Sequence, residues 1–275
     1  MSVSFDIASI CKHKGEEPVV SGVRGICNVF FRHCNLQCLY CQNKDISRND
    51  TISAQPYGSL QAVLDRIEVV LRSSENSVGF VSPSHRISQV IAIMNGLHER
   101  NINPTYVYNS NGFDSFETME KMRHRIDVFL PDFKYADADL GFKLSGVKNY
   151  PEKAIKTLKI MYYEMGSSLQ TDDKECVVRG LIVRHLVLPG FIENSKRALE
   201  ILADELSPNI HLSLMSQYFP IGKMPYENLN RCLYPEEYEE VVNYAQSLGF
   251  HRGWTQELSS SGDYHPRFDK ADSFE

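Results

Sequence analysis

A chain of 275 residues, 42% hydrophobic and 23% charged, has the makeup of an ordinary globular protein and the length of one α/β barrel domain. Its formal net charge of -6 argues against a nucleic-acid backbone as the main partner. No apolar run approaches the roughly 20 residues of a membrane span, and Met1 to Lys14 has neither the apolar core nor the cleavage pattern of a secretory signal. The expectation is no membrane association and a cytoplasmic location.

Residues 1–22 read as an irregular N-terminal arm. It carries His13-Lys14-Gly15-Glu16-Glu17-Pro18, punctuated as loop by Pro18 and the flanking glycines. This stretch reads either as a solvated charge run covering one end of the domain, or as a substrate-side acid or base that could serve as a lid. Gly25 to Phe31 predicts the first strand. Ser59 to Leu71 has apolar residues at helical spacing, with Ser59 as N-cap. Val78 to Val81 reads as the second strand and Ile87 to Glu99 as a helix. Thr105 to Tyr108 is the third strand, Asp114 to Arg123 a helix, and Asp127 to Leu130 the fourth strand. Glu152 to Glu164 follows as helix, and Leu169 to Cys176 reads as polar and turn-like. Val177 to Leu188 is the strongest β-run, ending at Pro189-Gly190. Lys196 to Leu206 predicts a helix capped by Ser195, His211 to Met215 the sixth strand, and Pro235 to Leu248 the last helix. Six strands alternating with helices argue for a parallel sheet. The domain organisation is then an arm over 1–22, the α/β domain over 23–253 and a tail over 254–275, its last ten or so residues loose.

The chemistry concentrates in Cys34-Asn35-Leu36-Gln37-Cys38-Leu39-Tyr40-Cys41, where three cysteines stand at C-x3-C-x2-C spacing after the apolar run Val29-Phe30-Phe31. Three thiolates this close can converge on one centre. A cubane iron–sulfur cluster usually takes four cysteines, so three leave one iron open for a small molecule. The alternatives are a zinc knuckle and a disulfide nest. Structural zinc wants a closed set of four, and His33 or Cys27 is awkwardly placed to be the fourth. Disulfides fit poorly with an odd set in a chain lacking a secretory signal. Of the seven cysteines, Cys11, Cys27, Cys176 and Cys232 are scattered and read as buried small hydrophobes.

C-x3-C-x2-C with an aromatic residue before the third cysteine, here Tyr40, resembles the signature of radical S-adenosylmethionine (SAM) enzymes. The longer stretch from Phe30 to Asn43 is similar to pyruvate formate-lyase activating enzyme and its uncharacterised relatives. The resemblance covers roughly Phe30 to Tyr218. It implies an open, partial TIM-type (β/α)6 barrel. It also implies a 4Fe-4S cluster on Cys34, Cys38 and Cys41, with SAM on the open iron. One electron then cleaves SAM to methionine and a 5′-deoxyadenosyl radical, which abstracts hydrogen from the substrate. A single cluster is expected, because no further cysteine pairs or triplets occur.

In βα barrels chemistry gathers at the C-terminal ends of strands, and every predicted strand here ends in polar residues. The second ends in Ser82-Pro83-Ser84-His85, where the superfamily has a Gly-Gly-Glu-like segment that binds the SAM amino group. Backbone carbonyls, Ser82 and Ser84 can still accept from an ammonium, His85 only when neutral, and Ser84 would also cap the next helix. Asn109-Ser110-Asn111-Gly112-Phe113 resembles the activating enzymes' Asp-Thr-Asn-Gly-Phe. Asn109 replaces an aspartate that helps bind a monovalent cation. Asp132-Phe133-Lys134 resembles their Asp-Leu-Lys, with Asp132 and Lys134 on one side of the strand. Arg184 to Gly190 resembles their Arg-Tyr-Val-Val-Val-Pro-Gly: Arg184 would reach a carboxylate and the Leu186 backbone adenine, while His185 points the other way. Gln217 and Tyr218 stand near their Pro-Tyr-His.

The expectation is therefore a radical SAM oxidoreductase of the glycyl-radical-enzyme activating type. Its partner would be a glycyl radical enzyme or other polypeptide, and its electron donor a protein such as flavodoxin or ferredoxin. The rival within enzymes is a radical SAM enzyme acting on a small molecule or a different peptide. The rival outside enzymes is a cluster or zinc protein that only binds a partner.

Overall fold

The structure is a computed structural model that describes residues 5–15, 17–50 and 57–256. Glu16 and the tail from 257 onward lie outside the described residues. The first half runs β1 Ile7–His13, α1 Pro18–Ser21, β2 Ile26–Phe31, α2 Lys44–Ser47, α3 Leu60–Leu71, β3 Ser77–Val81, α4 Ile87–Glu99, β4 Thr105–Asn109, α5 Phe116–Met122 and β5 Val128–Phe129. The second half runs α6 Ala138–Ser145, α7 Tyr150–Met165, β6 Gln170–Thr171, β7 Val177–Leu186, α8 Ile192–Glu205, β8 His211–Met215, α9 Pro235–Ser247 and β9 Gly253–Thr255. None of the described helices is long and apolar enough to cross a membrane.

Six parallel strands, β2-β3-β4-β5-β7-β8, stand in chain order, as the alternation with helices requires. The sheet does not close. Antiparallel β1 forms one edge, parallel β9 the other, and β6 hairpins onto β7. The sequence missed three of these features. The arm is not irregular throughout: residues 7–13 pair with β2 from Ile7 opposite Phe31 down to His13 opposite Ile26. Ile7, Ile10 and Cys11 are buried there, which stabilises a strand that no alternating pattern announces. The segment 253–255, assigned from sequence to the end of the domain and its tail, pairs with Leu212 to Leu214. Helix α6 is short, with Asp137 accepting from Leu140 N at its start and left-handed Gly146 at its end.

Ser59 caps α3 as expected, its Oγ accepting from Ala62 N. Helix α5 begins at Phe116, two residues later than expected, with Ser115 Oγ accepting from Thr118 N. Ser195 does not cap α8, which begins four residues before Lys196, so Ser195 lies buried in its first turn.

Two apolar layers flank the sheet. Outward residues such as Val29, Phe80, Tyr108, Leu181 and Leu214 pack under the helices in the main core. Inward residues Ile26, Val107, Val128, Leu130 and Ile182 form a second cluster inside the barrel, and Val20 of α1 plugs into it. The plug sits at the end where the parallel strands begin, because β1 descends to Ile26 before α1 turns back.

Candidate active site

The loop after β2 turns sharply at His33, whose φ of 65° is left-handed, and Cys34, Cys38 and Cys41 then line the cavity inside the barrel. The loop is seated on α6: Gln37 N donates to Ser145 O (3.1 Å) and Leu39 N to Leu144 O (2.8 Å). Carbonyls that the end of a helix leaves without intrahelical partners are thus satisfied by the cysteine loop. Each sulfur also receives a donor. Leu36 N (3.4 Å) and Asn111 Nδ2 (3.3 Å) donate to Cys34, Ser145 Oγ (3.0 Å) to Cys38, and Ser47 Oγ (3.2 Å) to Cys41. Ser145 Oγ is in turn 2.6 Å from Tyr135 Oη, which is 2.6 Å from Tyr40 Oη.

Burial pushes the Cys34 thiol up and the Cys38 thiol up to about 12, the latter against the nearby Lys134 charge. Thiols this deep ionise when a metal charge compensates them, and the donors aimed at each sulfur suit thiolate ligands. Among the described residues, no group of three or more His, Cys, Asp or Glu converges tightly enough for a single ion. A cubane cluster takes its thiolates at separate corners and accepts a wider spacing. Cys27 lies on the outer face of β2, in the main core, and His33 faces Arg48 O and Asp6, so neither lines the cavity with the other three. The donor set therefore fits a three-cysteine cluster. All seven cysteines are free; Cys11, Cys27 and Cys176 are buried as expected, whereas Cys232 is exposed.

Across the cavity, the ends of β4, β5 and β7 hold a charged network. Pro131 interrupts the β5 ladder, which resumes as a bridge between Asp132 and Arg184. Arg184 Nε donates to Asp132 Oδ1 (2.8 Å), Lys134 Nζ pairs with Asp132 Oδ2, and Arg184 Nη2 donates to Asn109 Oδ1 (2.7 Å). Burial alone would raise the Asp132 carboxyl, but the Arg184 and Lys134 charges outweigh it and hold it below the usual range. Burial likewise disfavours the Lys134 ammonium, and the Asp132 charge more than restores it. Two cations share the Asp132 carboxylate here, at the wall of the cavity.

Gly112 allows the chain to cross this network. A Cβ there would stand 2.2 Å from Asp132 O, and its φ is +78°. Tyr150 Oη ties the crossing together, donating to Asn111 O (2.9 Å) and Asp132 O (3.1 Å) and accepting from Lys134 N (3.0 Å). Beneath, His185 is fully buried between Phe133 O and Ser195 Oγ, and desolvation lowers its pKa to about 4.

Nine residues expected to bind a cofactor line this one cavity: Tyr40, Ser82, Asn109, Asn111, Asp132, Lys134, Arg184, Leu186 and Gln217. Their partners differ from the expectation in places. Asn111 donates to the Cys34 sulfur and to Asn35 Oδ1. Asn109 is engaged by Arg184, and the Gln217 side chain by Gln256. Tyr218 is buried with its hydroxyl donating to Leu229 O. Ser84 and His85 do not line the cavity. Ser84 belongs to the turn beside the buried Asp114–Tyr108 pair, and His85 Nε2–H donates to Arg32 O (2.8 Å). Sequence reasoning missed Ser47, Ser145, Tyr135 and Tyr150. Ser145 ends the unforeseen α6 and Tyr135 lies just before it, so its capping pair Asp137 and Gly146 was the one available signal.

The cavity's other end is the floor. It is lined by His13, Gly15, Glu17, Val20 and Ser21 of the arm, with Ile26 and Asn28 of β2. Among the described residues, the arm thus forms part of the cavity wall, with Glu17 reaching Ser213.

No family model matches the chain. An uncharacterised protein of Methanocaldococcus jannaschii is 30% identical over 241 residues, covering 85% of this chain and 65% of that protein. A radical SAM methyltransferase from Sphaerobacter thermophilus superposes with a TM-score of 0.60 at 12% identity, over 90% of this chain and 70% of the other. Streptococcus suis SuiB bound to its precursor peptide SuiA gives 0.55 at 16% identity, over 84% of this chain and 48% of SuiB. The chain thus spans about half the length of SuiB and just under two thirds of the archaeal protein. At these identities the likeness to the solved structures is one of architecture. The chain has the partial βα-barrel fold of the radical SAM enzymes.

Proposed function

We propose that the protein is a radical SAM enzyme whose Cys34, Cys38 and Cys41 hold a 4Fe-4S cluster. The observation that carries this reading is one cavity that joins three hydrogen-bonded cysteine sulfurs to the buried Asp132–Lys134–Arg184 network. When bound, the cluster supplies the electron that cleaves SAM to methionine and the radical that abstracts hydrogen from the substrate. The chain's own residues do the rest. Arg184 and Lys134 suit the methionyl carboxylate of SAM, and Asp132 orients both cations. Ser82, Asn109, Leu186 and Gln217 are assigned to the same ligand from the neighbouring strand ends. The hydroxyl chain from Tyr40 to Ser145 steadies the Cys38 sulfur. The barrel wall keeps water away from the reacting atoms.

For the substrate, the narrower reading is a polypeptide, as in the glycyl-radical-enzyme activating type, with a flavodoxin- or ferredoxin-like electron donor. The sequence stretch Phe30 to Asn43 supports it. A second reading, a small molecule or a single side chain, is favoured by the closed floor, which makes the chamber a blind pocket. Anaerobic reconstitution should yield one cluster by iron and sulfide assay, and 5′-deoxyadenosine on reduction with SAM. Release stimulated by the protein fraction of a cell extract, with a glycyl radical in electron spin resonance, supports the activating type. Stimulation by the small-molecule fraction alone rejects it. No deoxyadenosine from a fully loaded protein rejects the radical SAM reading itself.

A further inference from the structure

The strip of chain beyond β5 serves both halves of the site, and side chains hold it in place. Phe133 N still pairs with Arg184 O of β7 (2.8 Å). Farther along, side chains take over from the sheet. Phe133 O accepts from His185 Nδ1 (2.6 Å), and Lys134 N donates to Tyr150 Oη (3.0 Å). Asn194, in the first turn of α8, takes the next two groups: its Nδ2 donates to Lys134 O (3.1 Å) and its Oδ1 accepts from Ala136 N (2.9 Å). A carbonyl only accepts and an amide N–H only donates, so the orientation of the Asn194 amide is forced. A carbonyl and the N–H two residues on are the pair that one residue of a neighbouring parallel strand would bond. The Asn194 side chain thus stands where a strand would, opposite Tyr135. It is buried and does not line the cavity. The two residues it clamps serve different ligands. Lys134 lines the cavity and pairs with Asp132. Tyr135 is fully buried off that wall, and its hydroxyl lies 2.6 Å from Ser145 Oγ, which donates to the Cys38 sulfur.

We infer that Asn194 is a positioning residue that sets Lys134 toward SAM and Tyr135 toward the cluster at once, through the single peptide strip between them. The inference rests on the radical SAM reading in naming SAM and the cluster as what these two residues serve. A lysine ammonium rides on a flexible four-carbon stem, so its position is only as well defined as the backbone that carries it. The Tyr135 hydroxyl has less freedom still, since a 2.6 Å contact weakens steeply with displacement. Removing the Asn194 amide leaves Lys134 O and Ala136 N without these bonds, and the strip relaxes toward other partners. Lys134 then loses its register with Asp132, and Ser145 loses the contact that orients its hydroxyl on Cys38. Neither change requires α8 to unfold.

The test compares wild type with Asn194→Leu, which keeps the shape and removes both bonds, and with Asn194→Ala. Glu193→Ala is the control, from the same turn of α8 but with a side chain that is 80% exposed and pairs with Lys196. Two readouts are taken on the cluster-loaded protein: SAM affinity by calorimetry and the cluster reduction potential by redox titration. Both Asn194 variants should bind SAM about tenfold more weakly, the worth of one hydrogen bond. Their potential should move to more negative values, as a donor to a cluster sulfur is loosened. Glu193→Ala should match wild type in both. A third readout needs no cluster: exchange of the Ala136 amide hydrogen should be slow in wild type and fast in the Asn194 variants. Unchanged SAM affinity and potential in folded Asn194→Leu overturn the inference, and so does a change in only one of them, because one strip carries both side chains. Equal changes in Glu193→Ala overturn it too, by tracing the effect to α8 as a whole. If the variants do not fold, fast exchange of Ala136 in wild type alone rejects the clamp. Absence of SAM binding by fully loaded wild type rejects the radical SAM reading instead, and leaves the exchange result on cluster-free protein standing.

Discussion

The two ends of the barrel are built on the same six parallel strands and are finished in opposite ways. At the mouth, the strands run out into loops whose polar groups bind one another: Asp132 between Lys134 and Arg184, Asn109 on Arg184, and Tyr150 across two carbonyls. At the floor, the chain folds back on itself and fills the barrel with Val20 and the inward valines, isoleucines and leucines of β2, β4, β5 and β7. The difference separates two demands on one scaffold. The floor's apolar packing stabilises the barrel by removing hydrocarbon from water. The mouth gathers buried charges whose mutual pairing is offset by the cost of taking them out of water, so they stabilise little by themselves.

Substitutions at either end should separate these roles. The largest effect is expected from Cys34→Ala, Cys38→Ala or Cys41→Ala. Each should abolish the full cluster and deoxyadenosine formation together, read by iron and sulfide content and by chromatography. A complete cluster in the triple variant would refute the assignment.

Next comes Asp132→Asn, which leaves two buried cations without their shared carboxylate. It should lower unfolding stability by about 3 kcal/mol, measured in urea. The sign with pH can be checked as well. The folded carboxyl is held below its ordinary value, so its contribution is complete above the unfolded pKa of about 3.9. It is lost as the pH falls from there through the lower folded pKa. Wild type should show that acid loss and Asp132→Asn should show less of it.

Arg184→Ala should weaken SAM binding by about 10- to 100-fold, the worth of a charge-assisted hydrogen bond to a carboxylate. It also disturbs the fold, because Arg184 is part of the buried network, so affinity has to be compared on folded protein. At the floor, Val20→Ala should cost about 1.5 kcal/mol from two lost carbons while SAM affinity stays at the wild-type value. An equal loss of SAM affinity in both variants would erase the distinction between the ends. The smallest effect is expected from Ser145→Ala, which removes the donor to Cys38. The cluster should persist with its reduction potential shifted to more negative values, measured by redox titration.

The sequence by itself determined the cysteine loop, the order of the six parallel strands and most helices. These rest on local physics: thiol spacing within one loop, apolar periods of two and 3.6, and the Ser59 cap. It also picked out nine residues that come to line one cavity, because strand ends in a parallel barrel share one rim. The tertiary structure decided the rest. The Ser145 hydroxyl reaches Cys38 from 107 positions away, and Ser213 reaches Glu17 from 196. The arm's charged motif reads as either solvated surface or a buried acid or base until β1 pairs with β2 and Glu17 is buried against Ser213. Likewise β9 is three residues with no pattern of their own, made a strand by the open edge of β8. A period or a cap is written in neighbouring residues, whereas the partner of a buried carboxylate or thiol is chosen by where distant segments meet.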